Sequence, residues 1–461
     1  DPKFGTMEEF ERLLSEAHQR GLHIIMDLVL NHTSSEHPWF IQSRSARDNP
    51  YRDWYLWRDG AKPGTPPNHW QSIFGGKAWT YDEKTGQWYY HMFVEQQPDL
   101  NWRNPAVRSE MMNVFTFWLE KGVDGFRLDV FNNYFKDAQF RDNPRQWGRR
   151  SFDRQKHIYD VDQPEMMSVV EEIRSITDRY ADRYVVGETF MASPERAVEF
   201  TGSGRLHAAF DFSLLHSPWN AASFLKVIQD WDALNTGDHW PNLVMNNHDN
   251  IRSATRYGRG EDDERLKVAA ALLLTLRGTP FLYQGEEIGM RNVTLKRSEI
   301  QDPVGKRYYP FDKGRDGCRS PMQWDSSEYS GFSGVKPWVK VHPDHVNRNV
   351  ERQKEDPASL FNFYRRLLHL RKSSTALRRG MLQPITYDPK RLLAYLRADN
   401  EETILVALNF GRRKVRLAMG RDLANRQWEL LLSSKSRENI EISQGWLSLA
   451  GEEACILKTR S

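Results

Sequence analysis

The apolar and polar positions of this chain follow one rhythm over most of its length and change to another near Thr375. Before that point, stretches with the helical period of about 3.6 lead into short, nearly continuous apolar runs. Thr6 and Glu9 have the spacing of a capping box, Phe10, Leu13, Leu14 and Ala17 form a stripe, and Gly21 can close the helix. The next run, 23–30, is apolar around Asp27, which predicts a parallel strand covered on both faces. Asn104, Pro105 and Gly122 bracket a second helix, with Val107, Met111, Val114, Phe115, Trp118 and Leu119 on one face. It leads into a strand at 125–130. The same order recurs before 184–188, 243–246 and 279–283. Such alternation predicts an α/β barrel, whose chemistry sits at the carboxyl ends of its strands. Beyond Thr375, short alternating runs at 392–396 and 403–408 predict an antiparallel β-domain.

Four strings lie at the ends of predicted strands: DLVLNH (27–32), GFRLDV (125–130), VGET (186–189) and NNHDN (246–250). They would bring the carboxylates Asp129, Glu188 and Asp249 to one end of a sheet. Covalent cleavage of a glycosidic bond needs a nucleophile, a proton donor and a third acid that holds the sugar. Arg127 and Asp129 are two residues apart on a strand and share a face. The guanidinium favours an ionised carboxylate, the form a nucleophile needs. In isolation the pair would read as a buried ion pair. Glu188 alone would read as a cap for a helix near Ser193. As a general acid it must hold a proton at working pH, so its surroundings are expected to be less polar than those of Asp129. Asp249 is placed to bind hydroxyls and stabilise an oxocarbenium-like transition state, with His248 donating a hydrogen bond. His32 follows Asn31 in a similar setting, where a lone histidine is usually satisfied by backbone.

Composition narrows the classes. At 461 residues the chain can bury a large core and hold more than one domain. A net charge of +3 with interspersed signs indicates neither nucleic acid nor membrane as a partner. No apolar run approaches the roughly 20 residues of a membrane span. Cys318 and Cys455 have no disulfide or zinc spacing, which fits a reduced, cytoplasmic setting. No redox or protease pattern surrounds Cys318, and no glycine-rich nucleotide motif is present. The sequence opens at Asp1 and runs almost directly into a helix, so a front portion is expected to be missing.

Together the four strings resemble signature regions of the α-amylase family of glycoside hydrolases, and the resemblance covers nearly the whole chain. It implies a (β/α)8 TIM barrel whose third, fourth, fifth, seventh and eighth strands are those above. The sixth lies near 207–212, and the first two have no counterpart here. The implied division is a first barrel part at 1–30, an inserted domain B at 31–103, the rest of the barrel at 104–374 with a long loop after its eighth strand, and a C-terminal β-domain at 375–461. The string QPDLNW (97–102) resembles a fifth signature in the form common among oligo-1,6-glucosidases, and GRDGCRSPMQW (314–324) is a mark of exo-acting α-glucosidases.

The resemblance implies Asp129 as nucleophile, Glu188 as acid/base and Asp249 as transition-state stabiliser. It places His32, Arg127, His248 and Arg319 around the glucose being removed, with support from Asp27, and allows Phe74 to pack on the sugar. Val130 accompanies α-1,6 preference in the resembling enzymes, whereas FNNYFKD (131–137) is closer to α-1,4-acting relatives. The expected activity is a retaining exo-acting α-glucosidase on short oligosaccharides with α-1,6 preference. The alternatives are an α-1,4-glucosidase and a trehalose-6-phosphate hydrolase. Noncatalytic relatives that chaperone transporters lose the catalytic carboxylates and carry a membrane anchor; here all three carboxylates stand and no anchor is visible. No cofactor is expected. A structural Ca²⁺ would belong to the loop after the first strand, in the missing portion, so no metal site is expected in this sequence.

Overall fold

In a computed structural model, which describes residues 2–459 except Ala192, 235–238, Glu261, 386–387, Pro389, Ser436 and Glu441, the first helix begins at the expected capping box. In α1 (Met7–Gln19) the Glu9 amide donates to Thr6 Oγ1 (3.3 Å) and the Thr6 amide donates to the Glu9 carboxylate (2.9 Å). Gly21 then turns the chain at φ +69°, a left-handed value that glycine adopts without a side-chain clash. Leu14 and Ala17 are buried, but Leu13 faces water. The described residues divide into two units, one formed by residues up to Asp211 together with His239, the other by Phe212–Leu234 and the residues from Trp240 onward.

The first unit is built on parallel strands. After β1 (Ile25–Leu28) come a small antiparallel sheet of β2 (Trp57–Arg58), β3 (Trp79–Asp82) and β4 (Gln87–Tyr90), then α2 (Pro105–Glu120) and β5 (Gly125–Leu128). The chain continues through α3 (Met166–Thr177), β6 (Tyr184–Glu188), α4 (Pro194–Glu199) and β7 (Ala208–Phe210). Among the described residues the parallel strands lie in the order β1-β5-β6-β7. Asn104 caps α2 by accepting from the Ala106 amide (2.9 Å), and Pro105 occupies the first turn, where no N–H is needed. The stripe Val107, Met111, Phe115 and Leu119 is buried, with Phe115 packed edge-on against Phe126 of β5. One expectation is corrected. β1 is not covered on both faces: Ile25 and Val29 are exposed, because β1 is an edge that pairs only with β5 among the described residues. Around β2–β4, Trp70, Trp79, Trp88 and Tyr90 are buried together, so these aromatics are core.

The second unit begins with α5 (Ala221–Leu234), β8 (Asn242–Val244), α6 (Glu264–Thr275) and β9 (Thr279–Phe281), the two strands pairing in parallel. Both strands end two residues earlier than the apolar pattern predicts, which leaves Asn246–Asn250 in a loop beyond β8. After α7 (Leu360–Ser373) the rhythm change predicted near Thr375 is realised as antiparallel sheet. This contains β10 (Met381–Pro384), β11 (Leu392–Ala398), β12 (Thr403–Asn409), β13 (Val415–Ala418), β14 (Trp428–Ser433), β15 (Ile442–Ser443), β16 (Trp446–Leu449) and β17 (Ala454–Thr459). The order is β10-β11-β12-β17-β14 in the larger sheet and β13-β16-β15 in the smaller. Beyond its charged first turn, helix α6 is buried and almost wholly apolar from Val268 onward, sharing one core with Leu393, Tyr395 and Val406 of the larger sheet.

Candidate active site

In a parallel sheet, residues at one level on adjacent strands face the same way about 4.8 Å apart. Asp27 of β1 is level with Arg127 of β5, and Leu128 of β5 is level with Gly187 of β6. One residue further, Asp129 therefore stands level with Glu188. Arg127 Nη1 donates to Asp27 (2.6 Å) and to Asp129 (2.7 Å), and Nη2 donates to Glu188. A single planar guanidinium thus ties three strand ends. Burial works against its charge, but Glu188, Asp129 and Asp27 more than reverse this and hold its pKa above the ordinary value. The side chain of Glu188 is 11% exposed, that of Asp129 22% and that of Asp27 50%. Glu188 is therefore more enclosed than Asp129, but its surroundings are not the less polar ones expected, because both carboxylates share Arg127.

The turn after Asp129 is strained. Val130 sits at φ 35°, ψ 40°, a left-handed conformation that is costly for a β-branched residue, and is 7% exposed. The chain then makes a tight turn, Phe131–Asn133, that lays the Phe131 ring on β6. A Cβ at Gly187 would lie 2.3 Å from that ring, so the glycine just before Glu188 is what lets the turn pack.

Behind these carboxylates lies a buried polar group that the sequence reading passed over. Lys136 Nζ is 2.7 Å from Asp99, both side chains being fully buried, and it donates to Asn31 Oδ1 (3.1 Å) and to the Asn133 carbonyl. Asn31 in turn donates to Asp99 (2.9 Å). Asp99 and Lys136 stand inside strings already noted, QPDLNW and FNNYFKD, and that spacing was the only signal available. Trp102 closes QPDLNW by donating to the Leu30 carbonyl (2.9 Å) and stacking on Tyr134 at 4.4 Å. Gln97 donates to His32 Nε2 (2.9 Å), and the His32 ring packs on Phe93, which also contacts Phe74. Burial lowers the pKa of His32, with Asp99 and Asp129 opposing, so the imidazole is neutral at neutral pH.

The second unit holds the remaining predicted residues in a cluster of its own. Arg319 donates to Asp249 Oδ1 (2.6 Å) and to the His248 carbonyl (2.8 Å), and Arg315 donates to the same Asp249 oxygen (3.2 Å) while gripping Asp302 (2.6 Å). His248 Nε2 lies 3.6 Å from Asp249. Burial alone would raise the pKa of Asp249, but His248, Arg315 and Arg319 pull it below the usual carboxylate range. Arg315 was not singled out from the sequence, although it precedes Arg319 by four positions in GRDGCRSPMQW. Burial pushes the Cys318 thiol up to about 11, so it is no nucleophile at neutral pH.

Residues 1–380 match the alpha amylase catalytic domain family. The chain belongs to the α-amylase family. Its fold class is that family's (β/α)8 barrel, with antiparallel β-sheets at the C-terminal end. It is 40% identical over 428 residues to a probable alpha-glucosidase of Rhizobium meliloti (strain 1021), covering 89% of this chain and 77% of that protein. It is 37% identical over 479 residues to an oligo-1,6-glucosidase of Parageobacillus thermoglucosidasius, covering 95% of this chain and 84% of that protein. Among solved structures it superposes on an alpha-glucosyl transfer enzyme, XgtA, with a TM-score of 0.93 and 36% identity, covering 100% of this chain and 87% of that one.

Proposed function

We propose that this α-amylase family chain is a retaining, exo-acting α-glucosidase that releases glucose from the nonreducing end of short oligosaccharides, with a preference for α-1,6 bonds. The observation that carries the reading is the placement of Asp129 and Glu188 at one level of adjacent strands on a shared guanidinium. Two carboxylates bonded to the two Nη atoms of one guanidinium are near neighbours, which suits the roughly 5–5.5 Å between carboxyl groups in retaining enzymes better than the roughly 6.5–9.5 Å that an inverting enzyme needs for its water. The oligo-1,6-glucosidase relative supports the linkage.

In the proposed reaction Asp129 attacks the anomeric carbon while Glu188 protonates the leaving oxygen. Water then attacks the glucosyl-enzyme with Glu188 as base, and two inversions return the α configuration. Asp249, kept ionised by Arg315 and Arg319, is assigned to stabilise developing positive charge. His32, His248 and Arg319 are assigned to the departing glucose, Asp27 to holding Arg127, and Phe74 to packing on the sugar. Carboxylates and water carry every step, so no cofactor is required. The oligosaccharide is the partner this reading calls for, and a cytoplasmic setting fits it. No described helix is long and apolar enough to cross a membrane.

The test is glucose release from isomaltose, maltose, sucrose and trehalose 6-phosphate side by side, with NMR of the first-formed anomer. The reading expects α-glucose and the highest kcat/KM on isomaltose. First-formed β-glucose would remove the retaining mechanism, and a higher kcat/KM on maltose would remove the linkage preference.

A further inference from the structure

Away from the strand-end clusters, the second unit carries an open groove of about 880 Å³ along α7, the segment leading into it and β14, with its basic side chains exposed. That volume lies within the roughly 300–1,000 Å³ of small-molecule sites. Among the described residues its polar lining includes Lys354, Arg365, Arg366 and His369 and no carboxylate, while Leu368 and Leu431 contribute apolar surface. Among the described residues none of these four basic side chains is in an ion pair. Arg365 donates to Asn362 Oδ1 (3.1 Å), and Arg366 donates to the Pro357 carbonyl (3.0 Å) and lies over the Phe363 ring at 6.0 Å. No other hydrogen bond of either guanidinium occurs among the described residues, so most of each fork is unused.

Helix electrostatics do not account for the pattern. Arg371 and Lys372 sit in the last turn of α7, where cations complement the helix dipole, but Arg365 and Arg366 lie about two turns earlier. Leu368, 42% exposed, stands on the same helix between the arginines and His369. Unpaired cations around exposed leucine give a surface that repels itself and leaves apolar area in water, and one kind of occupant relieves both.

We propose that this groove binds a small organic phosphate. The phosphate lies against Lys354, Arg365 and Arg366, and the carbon body lies on Leu368, Leu431 and Leu432. A phosphate dianion presents enough acceptor oxygens for two guanidinium forks and an ammonium, which a single carboxylate does not. The same chemistry is offered by a soluble phosphomonoester and by a phospholipid headgroup.

Titration calorimetry with phenyl phosphate, inorganic phosphate and phenol tests the site, with sedimentation on phosphatidic acid vesicles as the lipid arm. The site predicts saturable binding of phenyl phosphate, at least about five-fold tighter than inorganic phosphate, weakening with added salt, and no binding of phenol. The double substitution Arg365→Gln, Arg366→Gln should weaken it at least about ten-fold, and Leu368→Asp should erase the advantage over inorganic phosphate. Both variants are expected to keep the wild-type circular dichroism and glucosidase activity, which separates this groove from the strand-end clusters. Absence of saturable binding, equal affinity for inorganic phosphate, or wild-type affinity in the double variant would each overturn the proposal. Retention on vesicles without binding of phenyl phosphate would replace the small-molecule site with a lipid surface.

Discussion

The charge clusters of the two units use the same residue types in opposite proportions. In the first unit one guanidinium, Arg127, serves three carboxylates, Asp27, Asp129 and Glu188. In the second, one carboxylate, Asp249, is held by two guanidiniums, Arg315 and Arg319, with His248 nearby. Carboxylates that share one cation can be released from it singly, and the proposed reaction requires that: Asp129 gives up its charge to form a bond, and Glu188 gains and loses a proton. A carboxylate ringed by cations stays ionised throughout, which suits a group that faces developing positive charge. The stoichiometry of each cluster therefore matches the role assigned to it.

The largest effect should come from the reacting member of the first cluster. Asp129→Asn is expected to lower kcat/KM by at least roughly 10³-fold, about 4 kcal/mol of barrier, measured on isomaltose with folding checked by circular dichroism. A variant that keeps a tenth of the activity would break the assignment.

A second effect lies behind the Asp249 loop and concerns stability. Glu286 is buried and bonded to Tyr364 (3.1 Å), with Asn246 beside it, and burial raises its pKa to about 7. Between its unfolded value near 4.5 and the folded value, the native state binds more protons than the unfolded chain. Stability contributed by this group must therefore fall as pH rises through that window and level off above it, by about 3 kcal/mol in all at about 1.4 kcal/mol per unit. Chemical denaturation of Glu286→Gln between pH 5 and 8 should show that part of the slope removed; an unchanged slope would place the titration elsewhere.

The proportions themselves can be tested by conservative changes to the cations. Arg127→Lys removes the only fork in the first cluster and should cost roughly 100-fold in kcat/KM, whereas Arg315→Lys leaves Arg319 in place and should cost about 10-fold or less. Equal losses would show that the two clusters do not differ in how far each depends on a single guanidinium.

The smallest effect concerns linkage. Val130→Ala should shift the isomaltose-to-maltose ratio of kcat/KM by about 10-fold, the lower end of what one or two methyl groups decide. An unchanged ratio would remove Val130 as the selector and leave it a structural residue of the strained turn.

These clusters were legible in the sequence to different depths. The Arg127–Asp129 pair could be read directly, because residues two apart on a strand share a face. That Arg127 also holds Asp27 and Glu188 depends on the register of three strands, which no local pattern encodes, and the expectation of a less polar Glu188 failed for that reason. The left-handed Val130 was invisible, since a β-branched residue signals the opposite. Lys136 was passed over because an isolated lysine reads as surface; only the fold shows that Asp99 and Asn31 are waiting for it. The exposed side of β1 was missed because apolar composition reports what a strand can bury, not which neighbours it has.

In the proposed reaction a carboxylate oxygen of Asp129 bonds the anomeric carbon in a covalent glucosyl-enzyme. Incubation with a slowly hydrolysed fluoroglucosyl fluoride, followed by digestion and peptide mass spectrometry, tests it directly. The account predicts one glucosyl adduct on the peptide carrying Asp129, absent in Asp129→Asn and accumulating with loss of activity. An adduct on another residue, or inactivation without any adduct, would contradict it.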